Sequence, residues 1–132
     1  MSFALDVSKF VEKAKKNPEK VMRQVSIKLF SAIIKASPVD TGRFRMNWMA
    51  SGGAPAFGTT DATDKSGNIA IGNATSFVLK AADWSEFTLT NNLPYAQRLE
   101  YGHWSQQAPQ GMVRINVSRF QQLINEAANE VR

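Results

Sequence analysis

A chain of 132 residues with 43% hydrophobic residues and three tryptophans suits one domain with a real core, and two cores would leave each half too small. It has no cysteine and a single histidine, which excludes disulfide frameworks, thiolate zinc sites, iron–sulfur clusters, cysteine nucleophiles and multi-histidine metal sites. The formal net charge is +5, with ten Lys/Arg against four acids in residues 1–50 (+6) and six against seven in residues 51–132 (−1). Such a basic half points either to a face that meets something acidic or to a lysine-rich solvated helix.

Residues 1–10 carry Asp6 and Lys9 and lack the apolar run of a signal peptide, and no stretch approaches the ~20 apolar residues of a membrane span. The expectation is a soluble protein of a reducing cytoplasm, with no membrane partner. Asp6 is placed to cap a short helix whose apolar stripe is Val7, Phe10, Val11 and Ala14. A second helix is predicted from Pro18 to about Ala36, with proline in the first turn and Glu19 suited to the helix dipole. Its apolar positions Val21, Met22, Val25, Leu29, Ala32, Ile33 and Ala36 recur at threes and fours. Ser37-Pro38 stops it.

After the turn at residues 38–42 the period changes to two. Phe44, Met46, Trp48 and Ala50 alternate with Arg43, Arg45, Asn47 and Met49, which predicts a strand with Arg43 and Arg45 facing outward. Residues 51–68 have no period and form a long loop, of the kind that is functional or disordered. It holds Phe57 as its only aromatic, and is expected to be mobile alone and ordered in an assembly. A short strand is expected at residues 68–71, then a helix capped by Asn73 and ending near Asp83. Residues 86–91 form a second strand, with Phe87 and Leu89 inward. Pro94 opens a helical turn carrying Tyr95, Ala96 and Leu99, with Gly102 as its stop. Residues 103–111 are irregular. The last helix carries Val113, Val117, Phe120, Ile124, Ala127, Ala128 and Val131 on one face, although its first residues also alternate like a strand. The fold class is α+β, a single domain over 1–132 with helices at both ends packed on a small antiparallel sheet.

Chemistry-bearing motifs are few. Asp40-Thr41-Gly42 is the tripeptide of aspartic proteases, but that chemistry needs a buried, paired carboxylate between apolar strands. Arg43 and Arg45 alongside would depress its pKa and wet the site, so the tripeptide reads as a turn. His103 has no evident nucleophile or orienting acid. The glycines at 52, 53 and 58 do not link a strand to a helix as a phosphate loop must. No catalytic residue, cofactor-binding residue or metal ligand is assigned. The residues left as interface candidates are Arg43, Arg45, Tyr95, Tyr101, His103 and Trp104. Arginine is favoured at interfaces, and the aromatic-rich stretch around Tyr95 to Trp104 is either a core lid or a docking surface.

Three segments together carry a resemblance: Ser-Pro-Val-Asp-Thr-Gly-Arg-Phe-Arg-Met-Asn-Trp at 37–48, Asn-Asn-Leu-Pro-Tyr-Ala-Gln-Arg-Leu-Glu-Tyr-Gly at 91–102, and Ala-Pro-Gln-Gly-Met-Val-Arg at 108–114. In this order, between N-terminal helices and a C-terminal helix, the chain resembles the neck and tail-completion proteins of lambda-like long-tailed bacteriophages, the gene-product-ten-like family of phage Hong Kong 97. The resemblance implies a virion structural protein rather than an enzyme, working in the neck or tail and present in the host cytoplasm during assembly. It implies partners as well: further copies in a homo-oligomeric ring read as a hexamer, tail-tube or tail-terminator proteins, head connector or stopper proteins, and DNA passing through the lumen. A ring subunit needs contacts between two different patches. The alternative is a small basic nucleic-acid-binding protein.

Overall fold

In the computed structural model, which describes residues 3–6, 18–101, 111–117 and 119, the fold grows from one long helix, α1 (Pro18–Ala36). Its apolar stripe is buried as the spacing predicts, with Val25, Leu29 and Ile33 at 0% exposure. A second stripe of Met22, Ser26, Phe30 and Ile34 is buried beside it. α1 is therefore a central helix packed on more than one side, rather than a surface helix with a single inward face. It stops where the Ser37 amide reaches the Ile34 carbonyl and the Ser37 hydroxyl donates to Ile33 O at 2.8 Å.

Two helical segments and two strands follow: α2 (Arg43–Met46), β2 (Trp48–Ser51), α3 (Asn68–Lys80) and β3 (Thr88–Asn91). With β1 (Phe3–Asp6) they form a three-stranded antiparallel sheet in the order β1-β3-β2. The register sets Leu5 and Ala50 opposite Leu89, and Phe3 and Trp48 opposite Asn91. All four residues of β3 are buried, as a central strand covered on both faces must be. The last two described elements are α4 (Ala96–Tyr101) and α5 (Val113–Val117). α1 packs on α3 and α5, and one core joins Val25, Ile33, Val78, Phe87, Leu89, Leu93 and Met112. Helices on a small antiparallel sheet, with a long loop between β2 and α3, are an α+β fold.

The structure corrects several element expectations. Residues 43–46 are a helical turn, not strand. Gly42 adopts φ 92°, its carbonyl accepts the Met46 amide, and the Asn47 side chain donates to Arg43 O at 2.7 Å. Phe44 and Trp48 are four apart, which places them together on a helical turn as readily as alternation would, and their rings meet edge-on at 5.8 Å. Only Trp48–Ser51 continues as strand. The strand expected at 68–71 and the Asn73 cap give way to one helix from Asn68, started earlier by a carboxylate described below. Asp6 is the last residue of β1, a strand the spacing does not predict, and the helix it was placed to cap lies outside the described residues. Residues 113–117 are helical from the outset, without a strand-like start. The expected helix at 7–17, the Gly102 stop, the irregular stretch 103–110 and the C-terminal helix beyond Val117 lie outside the described residues.

Candidate functional site

The three resembling segments are the natural place to look for a site, and each is used to brace the fold. In the first, Arg45 is the centre. Its guanidinium donates to four main-chain carbonyls: Ser37 at 3.0 Å, Lys35 at 2.8 Å, Lys65 at 2.8 Å and Ser66 at 3.3 Å. It thus ties the C-terminal end of α1 to the segment that leads into α3, a use that suits a rigid, many-donor fork. Burial draws the Arg45 pKa below its ordinary value, and nearby Asp64 opposes that. Ser37 adds a second tie, because its Oγ accepts the Trp48 indole N–H at 2.8 Å. Gly42 lies so close to the chain that an added Cβ would sit 2.6 Å from the Lys65 amide nitrogen. Asp40 itself is exposed, unlike the buried paired acid of a protease.

The loop between β2 and α3 is fastened along its length. The Asn47 amide side chain donates to Thr60 O at 3.0 Å and accepts the Thr60 N–H at 2.9 Å. Arg43 Nε donates to the same Thr60 carbonyl, and its guanidinium meets Asp61 at 3.3 Å. Asp64, only 7% exposed, accepts the amides of Ile69 at 2.8 Å and Ala70 at 3.0 Å and the Ser66 hydroxyl at 3.1 Å. Burial pushes its pKa up, but those hydrogen bonds outweigh it and hold the acid below its ordinary value. Asp64 therefore caps α3 from outside the helix. The other end of α3 is capped by Arg23 of α1, which donates to the carbonyls of Val78 and Ala81.

The second and third segments meet at Glu100. Its carboxylate, 1% exposed, accepts the amides of Met112 at 2.6 Å, Val113 at 2.8 Å and Arg114 at 2.7 Å. Arg114 Nε adds a fourth bond at 3.2 Å, and the guanidinium also donates to the Glu100 carbonyl. The first turn of α5 is thus organised by an acid twelve and more residues away. Gly111 is required beside it: φ is 85°, and a Cβ would lie 2.5 Å from both the carbonyl oxygen and Oε1 of Glu100. Asn91 Nδ2 joins the second segment to the first through Phe44 O at 3.0 Å.

The interface candidates fare differently. Arg43 and Arg45 are not neighbours on an outward strand face; both are half-buried in the brace, which corrects that expectation. Tyr95 is half-buried against Phe44, ring centroids 5.7 Å apart. Tyr101 is 53% exposed, with the Arg114 guanidinium 4.9 Å over its ring. His103 and Trp104 lie outside the described residues. Sequence reasoning missed Asp64, Glu100 and the asparagines at 47, 91 and 92. Their signal is an acid or amide near the start of a helix or turn, but the partner is too far along the chain for spacing to reveal.

Beside charged and polar residues, the braces leave several large apolar side chains outward. Phe57 is 94% exposed, Leu79 60%, Ile69 55% and Phe77 36%. Phe57 sits on the loop where Asn92 Nδ2 donates to Ala56 O and Gly58 O, and Phe77 lies at the opposite end of β3, edge-on to Phe87. Among the described residues no three His, Cys, Asp or Glu side chains are grouped to hold a metal ion, and no helix is long and apolar enough to cross a membrane. In comparisons with known proteins, no family model, curated protein or solved structure matches the chain.

Proposed function

We propose that the chain is a structural subunit of a tailed-phage virion, a ring-forming neck or tail-completion protein acting where the head joins the tail. The sequence resemblance suggests the class. The observation that carries the reading is the division of labour in the chain. The resembling segments form one connected brace through Arg45, Asn47, Asn91 and Glu100, while Phe57 on the loop and Ile69, Phe77 and Leu79 on α3 are exposed between those segments and Tyr101 is exposed within one. A braced body that leaves unlike apolar side chains exposed on its loop and on α3 supports the head-to-tail contacts between different surfaces that a ring requires. Its partners on this reading are further copies of itself, tail-tube or terminator proteins on one side and head connector proteins on the other, with DNA passing through the lumen.

The test is electron microscopy of the purified protein alone and mixed with tail tubes, beside an in-vitro head–tail joining assay. Rings capping tube ends and restored joining are the expected result. A protein that stays monomeric with tubes present and restores no joining overturns the proposal.

A further inference from the structure

Residues 52–63 leave the end of β2 through Gly52-Gly53 and rejoin the body at Asp64, whose amide donates to Gly42 O at 3.0 Å. None of the residues 52–63 is buried, and their one large apolar side chain, Phe57, is 94% exposed. What holds them is polar, and side chains of the body supply the donors. Thr88 Oγ1 donates to Gly53 O at 2.6 Å, and Asn92 Nδ2 to Ala56 O and Gly58 O at 2.8 and 3.1 Å. Asn47 Nδ2 donates to Thr60 O at 3.0 Å, and Arg43 adds a bond to the same carbonyl and an ion pair with exposed Asp61. The ties run from one end of the β2–β3 pair to the other. Thr88 stands opposite Ser51, and Asn92 adjoins Asn91, which stands opposite Trp48. The segment is a strap along the sheet, gripped almost wholly by its main chain.

We infer that this strap opens and closes as one unit while the body stays folded, pivoting at Gly52-Gly53 and at Ala62-Thr63. Lifting it takes no large apolar side chain out of a core, so hydrophobic burial does not oppose the motion. The ties are hydrogen bonds of modest net worth, and the entropy of ordering the segment works against them. Segments held in this way occupy the low-stability end of a native structure. Successive ties lie at most three residues apart, at Gly53, Ala56, Gly58, Thr60 and Asp61, so freeing one slackens the next. Phe57 sits between the two carbonyls that Asn92 holds, in the middle of the strap. Opening therefore carries it to the tip, up to about 20 Å from the pivots for six residues at about 3.3 Å each. Asp64 and the start of α3 stay in place, because their bonds lie beyond the second pivot. The inference concerns the single subunit and stands apart from the ring reading.

Two readouts on the full chain test it. One is chymotrypsin cleavage after Phe57, which needs the strap lifted from Asn92. The other is NMR exchange of the Thr60 amide, which Asn47 Oδ1 accepts at 2.9 Å. In the unmodified protein both rates should be nearly independent of low urea, because opening exposes little surface. The Leu29 and Ile33 amides should instead exchange with the steep urea dependence of global unfolding. Thr88→Val removes the tie at Gly53 alone, yet should speed Phe57 cleavage and Thr60 exchange by the same factor, about fivefold for one modest hydrogen bond. Asn92→Ala should raise both together and further, since it removes two bonds. Strap rates that follow urea as steeply as Leu29 overturn the inference, because the strap then opens only with the core. Variant effects that are absent, or confined to Phe57 cleavage, overturn it as well, since the ties then act independently. The urea dependence of the unmodified protein decides the matter even where a variant fails to fold.

Discussion

Glu100 is a buried carboxylate whose oxygens meet three main-chain amides and Arg114. Removing an acid so placed strands the amides without water or partner. Glu100→Ala is expected to cost about 3–5 kcal/mol in a denaturant titration, and Glu100→Gln less, because the amide oxygen still accepts. Arg45 differs in that its donors serve four carbonyls, two at each side of a junction. Arg45→Lys should lose about 1–3 kcal/mol despite keeping the charge, since an ammonium does not span that fork. Arg43→Ala should lose about 1 kcal/mol, because its ion pair is with an Asp61 side chain 99% exposed and the Thr60 carbonyl it serves keeps the Asn47 donor. At Asp64 the pKa is lowered in the folded state, from an ordinary 3.8. Its contribution is therefore complete above about pH 5 and is lost as pH falls through the folded value, below 3.8. Asp64→Asn should show a shallower loss of stability on acidification below pH 4 than the unmodified protein, measured as melting temperature against pH.

At the scale of elements, what was legible is what depends on neighbours in sequence. α1 shows in the spacing of Val25, Leu29 and Ile33 and the helix stop in Ser37-Pro38, while β3 shows as a strand at 88–91 whose threonines are buried along with Leu89 instead of alternating outward. Ile33, at 0% exposure, should cost about 2–5 kcal/mol when cut to alanine, which checks that face of α1 directly. What was not legible depends on partners far away. Residues 43–46 alternate like a strand, yet the turn at Gly42 and the Asn47 side chain close them into a helical turn. α3 starts at Asn68 rather than Asn73 because Asp64, outside the helix, receives its first free amides. The loop was legible as irregular but not as fastened, because Thr60 is tied by an asparagine thirteen residues back. The helix also carries a glycine without evident need: a Cβ at Gly72 would meet nothing within 4 Å. Gly72→Ala should therefore stabilise the protein by about 0.5–1 kcal/mol in a thermal melt, while Gly42→Ala, at φ 92° and against Lys65, should destabilise it.

Over the whole molecule, the net charge of +5 was the strongest hint of nucleic acid, and the structure shows where much of that charge goes. Arg23, Lys35, Arg43, Arg45 and Arg114 all donate to main-chain carbonyls of the chain itself. A guanidinium already committed to carbonyls cannot turn to a phosphate without breaking the brace it belongs to. Among the described residues Lys20, Lys65, Lys80 and Arg119 are exposed, but on α1, on the lead into α3, at the end of α3 and just after α5, rather than in one stripe. Among the described residues, a duplex lying on a single subunit therefore meets few free cations at once. Because log K falls with log salt by about 0.9 per phosphate neutralised, few contacts mean a shallow slope. The exposed cations of the described residues supply a slope no steeper than about −4, the value that fluorescence anisotropy with a short duplex should read where they carry the contact, with affinity no tighter than the roughly 10⁻⁴–10⁻⁶ M of non-specific binding at physiological salt. Submicromolar binding at that salt with a slope steeper than about −5 would favour the free-standing nucleic-acid binder over the ring subunit. A ring adds a discriminating arm to the same measurement, since copies around a lumen pool their few cations while the single subunit cannot. On tail tubes bearing rings, the slope should grow with the number of copies that face the duplex.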